Sequence, residues 1–385
     1  MKLTKFAILS ISALSILMNA VVVPILSSIS AAFPLASPAL IKLSLSLPAL
    51  MSIFFSLFTG LLSRFIHKKI LLAFGLILFS VGGIGAGFAG NIFNFLAFRA
   101  LLGAGSGTIA PLASDFVALF YSGEERTRMI GYSNSSANMT GVIFPLLAAS
   151  MATFNWRFAF SVYGLALIVL VLTMLFIPAK CIPLAANSAQ KSGMSLSAAA
   201  LTPVAAIFLL VLFFYSIPNN LSVFVEKEGI GSPSIAALAI SVSTLASTVL
   251  NIFFARIYNK LKDWILPVGF FLCGLGIFTI AGIASIYTLI LGEILIGICH
   301  GILFPYFPLK VIENTAPENT TVALALLSSA FSIGMFFSQF FYTAMNSLLN
   351  TTLIREEFML AAILFGIVAL ISAIKRPKLK RFRYW

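Results

Sequence analysis

RALLGAGSGTIAP at residues 99–111 and EILIGICHGILFP at residues 293–305 lie 194 positions apart and share one pattern of glycines ending in proline. A shift of the chain by 194 positions places Arg99 on Glu293, Gly103 on Gly297, Gly107 on Gly301, and Pro111 on Pro305. The same shift places Pro24 on Pro218. Because this offset is about half of the 385 residues, the sequence predicts an internal duplication.

The composition is that of a protein embedded in lipid. Hydrophobic residues make up 60% of the chain and charged residues 9%, and the mean hydropathy is +1.08. A helix needs about 20 apolar residues to cross the hydrocarbon layer, and helices satisfy their own backbone hydrogen bonds there. We therefore predict an all-α integral membrane protein with twelve transmembrane helices in two pseudo-symmetric six-helix bundles. The twelve predicted spans, numbered in chain order, are residues 6–27, 38–60, 70–90, 92–115, 128–152, 157–178, 199–220, 233–256, 264–284, 286–309, 321–345 and 357–374.

Basic residues predict the orientation of these spans. With a cytoplasmic N-terminus, nineteen of the 24 Lys and Arg residues fall on cytoplasmic segments and four on outer segments, while Arg99 lies within a span. The positive-inside rule therefore predicts that both termini are cytoplasmic and that the protein lies in the cell membrane. The predicted division is an N-terminal bundle at 1–178, a cytoplasmic linker at 179–198, and a C-terminal bundle with a short basic tail at 199–385.

Several function classes lack support in the sequence. The net charge of +13 comes from short loops and the tail, so we expect contacts with lipid headgroups and none with nucleic acid. Three scattered cysteines form neither a disulfide framework nor a metal site and are interpreted as packing residues. Because phosphate-binding and nucleophile motifs are also absent from the sequence, we predict a protein that is not an enzyme and has no cofactor or metal. Duplicated apolar halves are instead typical of secondary transporters, and we expect a monomer.

Four segments resemble motifs of the major facilitator superfamily. The stretch GLLSRFIHKK at 60–69 resembles the family's loop G-x-L-A-D-R-x-G-R-K, and residues 99–107 resemble its helix 4 motif. Residues 124–126 are similar to the family's loop after helix 4, and Gly141 with Pro145 resembles a degraded antiporter motif. The resemblance covers the whole chain and implies twelve helices, alternating access and a central cavity lined by helices 4 and 10. It implies gating roles for Gly60, Arg64, Lys68, Lys69, Glu124, Arg126, Gly141 and Pro145.

Arg64 departs from the family pattern. In the family the aspartate at this place is thought to latch the two bundles by facing a helix N-terminus, where a positive charge is repelled by the helix dipole. We therefore expect either that Arg64 has another partner, such as Glu124 or Glu125, or that this latch is weak.

Two charged residues, Arg99 and Glu293, lie clearly within predicted spans rather than at their ends, and they are candidates for proton coupling together with His300. A charge near the bilayer centre costs about 2.5–3.5 kcal/mol on the mildest scale, so such residues are functional candidates. Arg99 and Glu293 occupy equivalent positions of the repeat, and His300 lies seven residues beyond Glu293, roughly 10 Å along the same helix face. For Arg99, we expect acidic or polar partners: amides and carbonyls of spans 1 and 5, Glu293, or an anionic substrate. The alternative is that Glu293 caps a buried hydrogen-bond cluster and that His300 is a satisfied interior histidine.

Uncharged polar side chains within the spans are candidates for substrate contacts. They are Asn19, Asn134, Asn138, Tyr215, Asn219, Asn220, Ser332 and Gln339. The alternative is that some of them only join helices, as such bonds do in membrane bundles. Abundant Phe and Met predict an apolar, adaptable cavity wall, which favours a lipophilic or amphipathic substrate.

The sequence therefore predicts proton-coupled export of small lipophilic or amphipathic molecules by alternating access, in a protein resembling the twelve-helix drug/proton antiporter group. Span 1 departs from that group because it lacks the acidic residue that many of its members use. One alternative is a proton-coupled importer of a small metabolite. A second, from another class, is a non-transporting membrane scaffold or sensor.

Overall fold

The computed structural model describes residues 2–178, 197–349 and 353–374, and every regular element within these ranges is a helix. The all-α prediction is therefore confirmed for this part of the chain. All but the last two residues of the predicted linker 179–198, and the tail from residue 375, lie outside the described residues.

Sixteen α-helices lie within the described ranges. They are α1 Lys2–Ala13, α2 Leu17–Ala20, α3 Leu26–Ala32, α4 Pro38–Leu62, α5 Lys68–Ala86, α6 Ile92–Phe120, α7 Gly123–Ala152, α8 Leu165–Phe176, α9 Ala198–Phe214, α10 Ser216–Lys227, α11 Pro233–Ile252, α12 Phe254–Leu261, α13 Ile265–Gly282, α14 Ile286–Glu313, α15 Thr320–Leu349 and α16 Ile354–Ile374. Short 3₁₀ segments lie at Leu14–Ile16, Val23–Ile25, Trp156–Gly164, Lys262–Trp264 and Pro317–Asn319.

Eleven of the twelve predicted spans coincide with helical segments that are long and apolar enough to cross a membrane. The remaining one, span 5, lies within the 30-residue helix α7, which is long enough but more polar than the others. Its sequence GYSNSSANMT at 131–140 places polar side chains on every face of the helix. A twelfth crossing at α7 therefore remains a prediction.

The first span of each predicted half is interrupted. Span 1 consists of α1, α2 and α3 with 3₁₀ segments between them, and Pro24 lies in the second of these segments. Span 7 is divided into α9 and α10 at Tyr215, three residues before Pro218. Because proline has no N–H to donate, it weakens the helix that precedes it. The repeated proline pair thus coincides with a repeated break.

The chain forms two compact units, and their boundaries cut through three helices. Unit 1 comprises Met1–Phe208 and Phe307–Phe336, and unit 2 comprises Leu209–Tyr306 and Phe337–Trp385. Parts of α9, α14 and α15 therefore belong to each unit. The predicted bundles at 1–178 and 199–385, and their pseudo-symmetry, remain predictions.

The glycines of the repeated pattern make equivalent contacts in the two units. In unit 1, a Cβ on Gly103 would overlap the backbone of Pro48, and one on Gly107 the backbone of Ser52. In unit 2, a Cβ on Gly297 would overlap the backbone carbonyl of Ser243. Small residues let helices approach closely in a membrane, where packing rather than hydrophobicity joins them. The pattern therefore brings α6 against α4, and α14 against α11.

Candidate functional site

Arg99 lies on α6, and its side chain is completely buried. Its Nε donates to the Ser44 carbonyl at 2.9 Å, and its Nη1 donates to the Met18 carbonyl at 2.9 Å and to the Tyr163 hydroxyl at 3.4 Å. Its Nη2 donates to Oδ1 of Asn19, whose own amide donates to the Leu45 carbonyl. Among the described residues, the guanidinium thus binds only neutral acceptors.

These contacts explain how unit 1 holds a charge in an apolar interior. Met18 and Asn19 lie in α2, where span 1 is irregular, so their polar groups can turn towards α6. The Tyr163 hydroxyl also donates to the Met18 carbonyl at 3.1 Å. Of the partners expected for Arg99, the structure gives the amide and carbonyl of span 1. It adds a carbonyl of α4 and a tyrosine that the sequence reasoning missed.

Glu293 lies on α14 in unit 2, with 3% of its surface exposed. The Ser243 side chain on α11 lies close enough to its carboxyl to interact with it, a neighbour that was not predicted from the sequence. Within the described ranges, no basic side chain forms an ion pair with Glu293. An isolated carboxyl in a membrane interior is costly when it is charged, which makes it suited to exchange a proton.

His300 lies on the same helix as Glu293 in an aromatic environment. The imidazole is 4.4 Å from the ring centroid of Phe214 at a steep angle, and 4.8 Å from that of Phe304. Its Nε2 is buried and has no hydrogen-bond partner among the described residues. The described contacts therefore do not link His300 to Glu293, and its role in a proton path remains a prediction.

A buried ionic cluster lies at one end of unit 1, and we call Lys68, Asp115 and Thr321 the Asp115 cluster. Lys68 Nζ is 2.7 Å from Asp115 Oδ2, and their side chains are 8% and 1% exposed. The Thr321 hydroxyl, in the first turn of α15, donates to the same carboxylate oxygen at 2.8 Å. The cluster thus joins α5, α6 and the start of α15.

Asp115 was not among the site residues predicted from the sequence. Span 4 was predicted to end at residue 115, which placed this aspartate at the membrane boundary, whereas α6 continues to Phe120. An acidic residue four positions beyond Pro111, in an otherwise apolar run, was the available signal. Lys68, which was predicted to act in gating, is its ionic partner.

Arg64 has a different partner from those suggested. Its Nη2 donates to the side-chain oxygen of Asn319 at 2.7 Å, immediately before α15, whereas Glu124 pairs with Arg128 on its own helix. The suggestion of Glu124 or Glu125 as the partner of Arg64 was therefore wrong. Arg64 donates to an uncharged amide oxygen, so this hydrogen bond does not require an acidic residue.

Further contacts join α4 to α15 in unit 1. The Ser56 hydroxyl donates to the Ala325 carbonyl at 3.0 Å, and the Ser329 hydroxyl donates to the Ile53 carbonyl at 3.3 Å. A Cβ on Gly60 would lie 2.8 Å from the Ala325 Cβ, so the glycine permits this close packing. Gly60 was predicted to act in gating and lies where α4 meets α15.

The other predicted gating residues are separate from this contact. Lys69 Nζ donates to the carbonyls of Met174 and Ile177 at the end of α8. Arg126 donates to the carbonyls of Tyr121 and Ala118 at the end of α6. Burial raises the pKa of the neighbouring Tyr121 hydroxyl, and the Glu125 carboxylate raises it further. On α7, a Cβ on Gly141 would lie 3.0 Å from the Ile16 side chain, and Pro145 lies inside the helix.

The predicted substrate-contacting residues lie in both units. Asn134 donates to a carbonyl of its own helix, Asn219 is exposed, and Asn220 donates to Glu357. Asn19 is engaged by Arg99, while Asn138 and Tyr215 also have partners. Ser332 is half-buried on α15, and the side chain of Gln339 lies outside the described residues. These contacts do not test a role in substrate binding.

The helices, their breaks and the buried charges define a polytopic helical membrane protein with the fold of a transporter. The model of the Major Facilitator Superfamily matches residues 8–264 and 204–383, and the chain belongs to that family. Proteins of this family and fold are transporters and not enzymes, as the sequence predicted.

Solved structures agree with this fold. The chain is similar to the proton:xylose symporter XylE with a TM-score of 0.79 and 14% identity, covering 97% of this chain and 95% of that one. It is similar to the human organic anion transporter MFSD10 with a TM-score of 0.77 and 14% identity, covering 96% and 99%.

Two curated relatives match parts of the chain. "Multidrug resistance protein 3" of Bacillus subtilis is 30% identical over 102 residues, which are 26% of this chain and 20% of that protein. The arabinose-proton symporter of Escherichia coli is 29% identical over 125 residues, which are 32% of this chain and 26% of that protein. The match thus spans about a fifth to a quarter of each relative.

Proposed function

We propose that the protein is a proton-coupled exporter of small lipophilic or amphipathic molecules that works by alternating access in the cell membrane. The observation that carries this proposal is Glu293, a carboxyl that is 3% exposed and lies close to the Ser243 side chain. Because the charged form of such a group is costly in a membrane, proton binding and release at Glu293 would change the stability of its surroundings.

The contacts in unit 1 support a gate at the end that the positive-inside rule assigns to the cytoplasm. There α4, α5 and α6 are joined to the start of α15 by the Asp115 cluster and by the bond from Arg64 to Asn319. In alternating access, contacts of this kind form in one state and break in the other. We propose that they close the cytoplasmic end in the state described.

The proposed substrate class follows from the apolar composition and from a partial relative. Cavities that accept lipophilic compounds are lined by aromatic and apolar groups with few polar contacts. Phe214 and Phe304, which surround His300 in unit 2, are groups of this kind. The similarity to a multidrug resistance protein supports the same class.

Import of a small metabolite is the second candidate. The similarity to the arabinose-proton symporter, at 29% identity over 125 residues, favours it specifically. Proton coupling through Glu293 is common to both candidates, because antiport and symport differ in the direction of the substrate relative to the proton.

Transport by purified protein in liposomes tests both candidates. A panel of lipophilic fluorescent cations and radiolabelled pentoses is assayed with and without a pH gradient. We expect the gradient to drive lipophilic compounds against the direction of proton flow, and Glu293→Gln to remove that dependence. Glu313→Gln is the control on the same helix, because Glu313 lies at the last residue of α14, with 34% of its side chain exposed, and pairs with Lys310.

Three results would contradict the proposal. Gradient-driven transport in Glu293→Gln at the rate of the control would exclude Glu293 from coupling. Pentose uptake in the direction of proton flow, without transport of lipophilic compounds, would favour the importer. Transport of neither class would favour the scaffold or sensor.

A further inference from the structure

Glu357, in the first turn of α16, joins three helices of unit 2. Its Oε2 accepts a hydrogen bond from the Asn220 amide on α10 at 3.1 Å, and its Oε1 accepts one from the Asn346 amide on α15. We call these three residues the amide clamp. Arg355 on the same helix forms a bidentate pair with Glu228, just beyond α10, at 2.6 and 3.1 Å.

The chemistry of the amide clamp depends on the charge of Glu357. An ionised carboxylate only accepts hydrogen bonds, so it satisfies an NH₂ group on each oxygen. A protonated carboxyl carries an O–H donor on one oxygen, and that donor cannot face an NH₂ group. A proton bound on the lone pair that accepts one of the amides therefore displaces that hydrogen bond unless the amide turns round, and a proton bound elsewhere on the carboxyl weakens both bonds. The bonds made by a charged carboxylate are also stronger than neutral ones.

Other charged groups surround the amide clamp. On α16 they are Arg355 and the exposed Glu356, and on α10 and directly after it they are Glu226, Lys227 and Glu228. On α15, Tyr342 lies close enough to Glu357 to interact with its charge. The sequences of α11 and α13 contain no acidic or basic residue. Arg355 is neutralised by Glu228, and Glu357 is the carboxylate bonded to two other helices.

We propose that Glu357 is a second proton-binding site of the transport cycle, at the end of unit 2 that the positive-inside rule assigns to the outside. Proton uptake there loosens α10 and α15 from α16, and proton release rejoins them. The proposal rests on the proposed proton coupling, but the structural change it requires occurs without substrate. It assigns Asn220, a predicted substrate contact, to the amide clamp instead.

A distance measurement tests this proposal on the full-length protein. Spin labels are attached at Val223→Cys on α10 and Ile363→Cys on α16, both exposed positions, after replacement of the native cysteines by alanine. Distances are measured by double electron–electron resonance in lipid nanodiscs at about pH 8 and about pH 4.5, a range over which carboxyl groups take up protons. No substrate or proton gradient is present.

In the labelled protein with an intact amide clamp, we expect a population with a longer distance between the two labels, and we expect this population to grow at the lower pH. Glu357→Gln, which fixes this site in a neutral form, should show the same distribution at both pH values. Glu356→Gln is the matched control, because this exposed neighbour makes no contact within the amide clamp, and it should retain the pH response. Asn346→Leu removes one of the two amide donors without changing a titratable group, so it should show the longer-distance population at both pH values.

Two results would overturn the proposal. One is a pH response that is retained in Glu357→Gln, and the other is a distance between the labels that does not change with pH when the amide clamp is intact. Failure here would leave the role of Glu293 intact, because transport with the Glu293→Gln variant is measured separately. Conversely, the expected distance change without proton-driven transport would refute the proposed coupling and leave the amide clamp established.

Discussion

Removal of the Asp115 carboxylate should open the contact between α15 and the rest of unit 1. In Asp115→Asn, Lys68 loses its ionic partner while it remains almost fully buried, and Thr321 keeps only an amide oxygen to bind. Removing one partner of a buried ion pair costs about 3–5 kcal/mol, because it leaves an uncompensated charge. That energy corresponds to a change of roughly 10²- to 10⁴-fold in the population of the closed contact.

The assay combines thermal unfolding in detergent with chemical labelling. At about 2–4 °C per kcal/mol, we expect the unfolding midpoint of Asp115→Asn to fall by roughly 6–20 °C. Ser56→Cys, at a buried position bonded to the Ala325 carbonyl, should react with a maleimide much faster in the Asp115→Asn background. Lys68→Met combined with Asp115→Leu should recover much of the midpoint, because no charge is then left unpaired.

The control for this prediction is the exposed pair of Glu124 and Arg128, with side chains that are 56% and 58% exposed. Exposed pairs contribute about 0–1 kcal/mol, so Glu124→Gln should barely change the midpoint or the labelling rate. An Asp115→Asn protein indistinguishable from Glu124→Gln in both measurements would refute the reasoning. Rapid labelling of Ser56→Cys before Asp115 is changed would show that the contact does not close this end.

Three further predictions concern other contacts of the fold. Arg99→Ala should lose most transport, and so should Arg99→Lys, because a lysine has no planar fork to reach all the acceptors that Arg99 binds. Near-normal transport by correctly inserted Arg99→Ala would remove Arg99 from the mechanism. Gly103→Ala should destabilise the protein by about 1–3 kcal/mol in thermal unfolding because its Cβ would overlap Pro48, whereas Gly90→Ala, with open space around it, should be near neutral. Asn319→Ala should mimic Arg64→Ala in a maleimide assay at the same buried Ser56→Cys position, and an effect of only one of the two would contradict their pairing.

The spans were predictable because bilayer thickness and backbone hydrogen bonding act on each segment independently of the rest. Eleven predicted spans coincide with helices apolar enough to cross. Span 5 is a helix in the structure but is too polar to be recognised as a crossing by hydropathy alone. Its polar side chains bond to its own helix or to a neighbouring helix. Thr140 and Asn134 of α7 bond back to their own helix, and Ser136 bonds to the Leu9 carbonyl on α1.

Pairings between distant residues were less predictable. The sequence indicated that Arg99 needs polar partners, and the repeat indicated its position, yet the carbonyl of Ser44 and the hydroxyl of Tyr163 carry no distinguishing pattern. The partner of Arg64 was misassigned because a search for opposite charge overlooked the uncharged amide of Asn319. Such partners depend on how helices separated by hundreds of residues pack together, which local periodicity does not encode.

The measurement that tests the central claim most directly is proton movement driven by substrate. Liposomes containing the purified protein and a lumenal pH-sensitive dye are given a gradient of a transported lipophilic cation, with no initial pH difference. We predict that protons move opposite to the substrate, and that Glu293→Gln abolishes this proton movement while Glu313→Gln preserves it. Proton movement in Glu293→Gln equal to that of the unmodified protein would contradict the account.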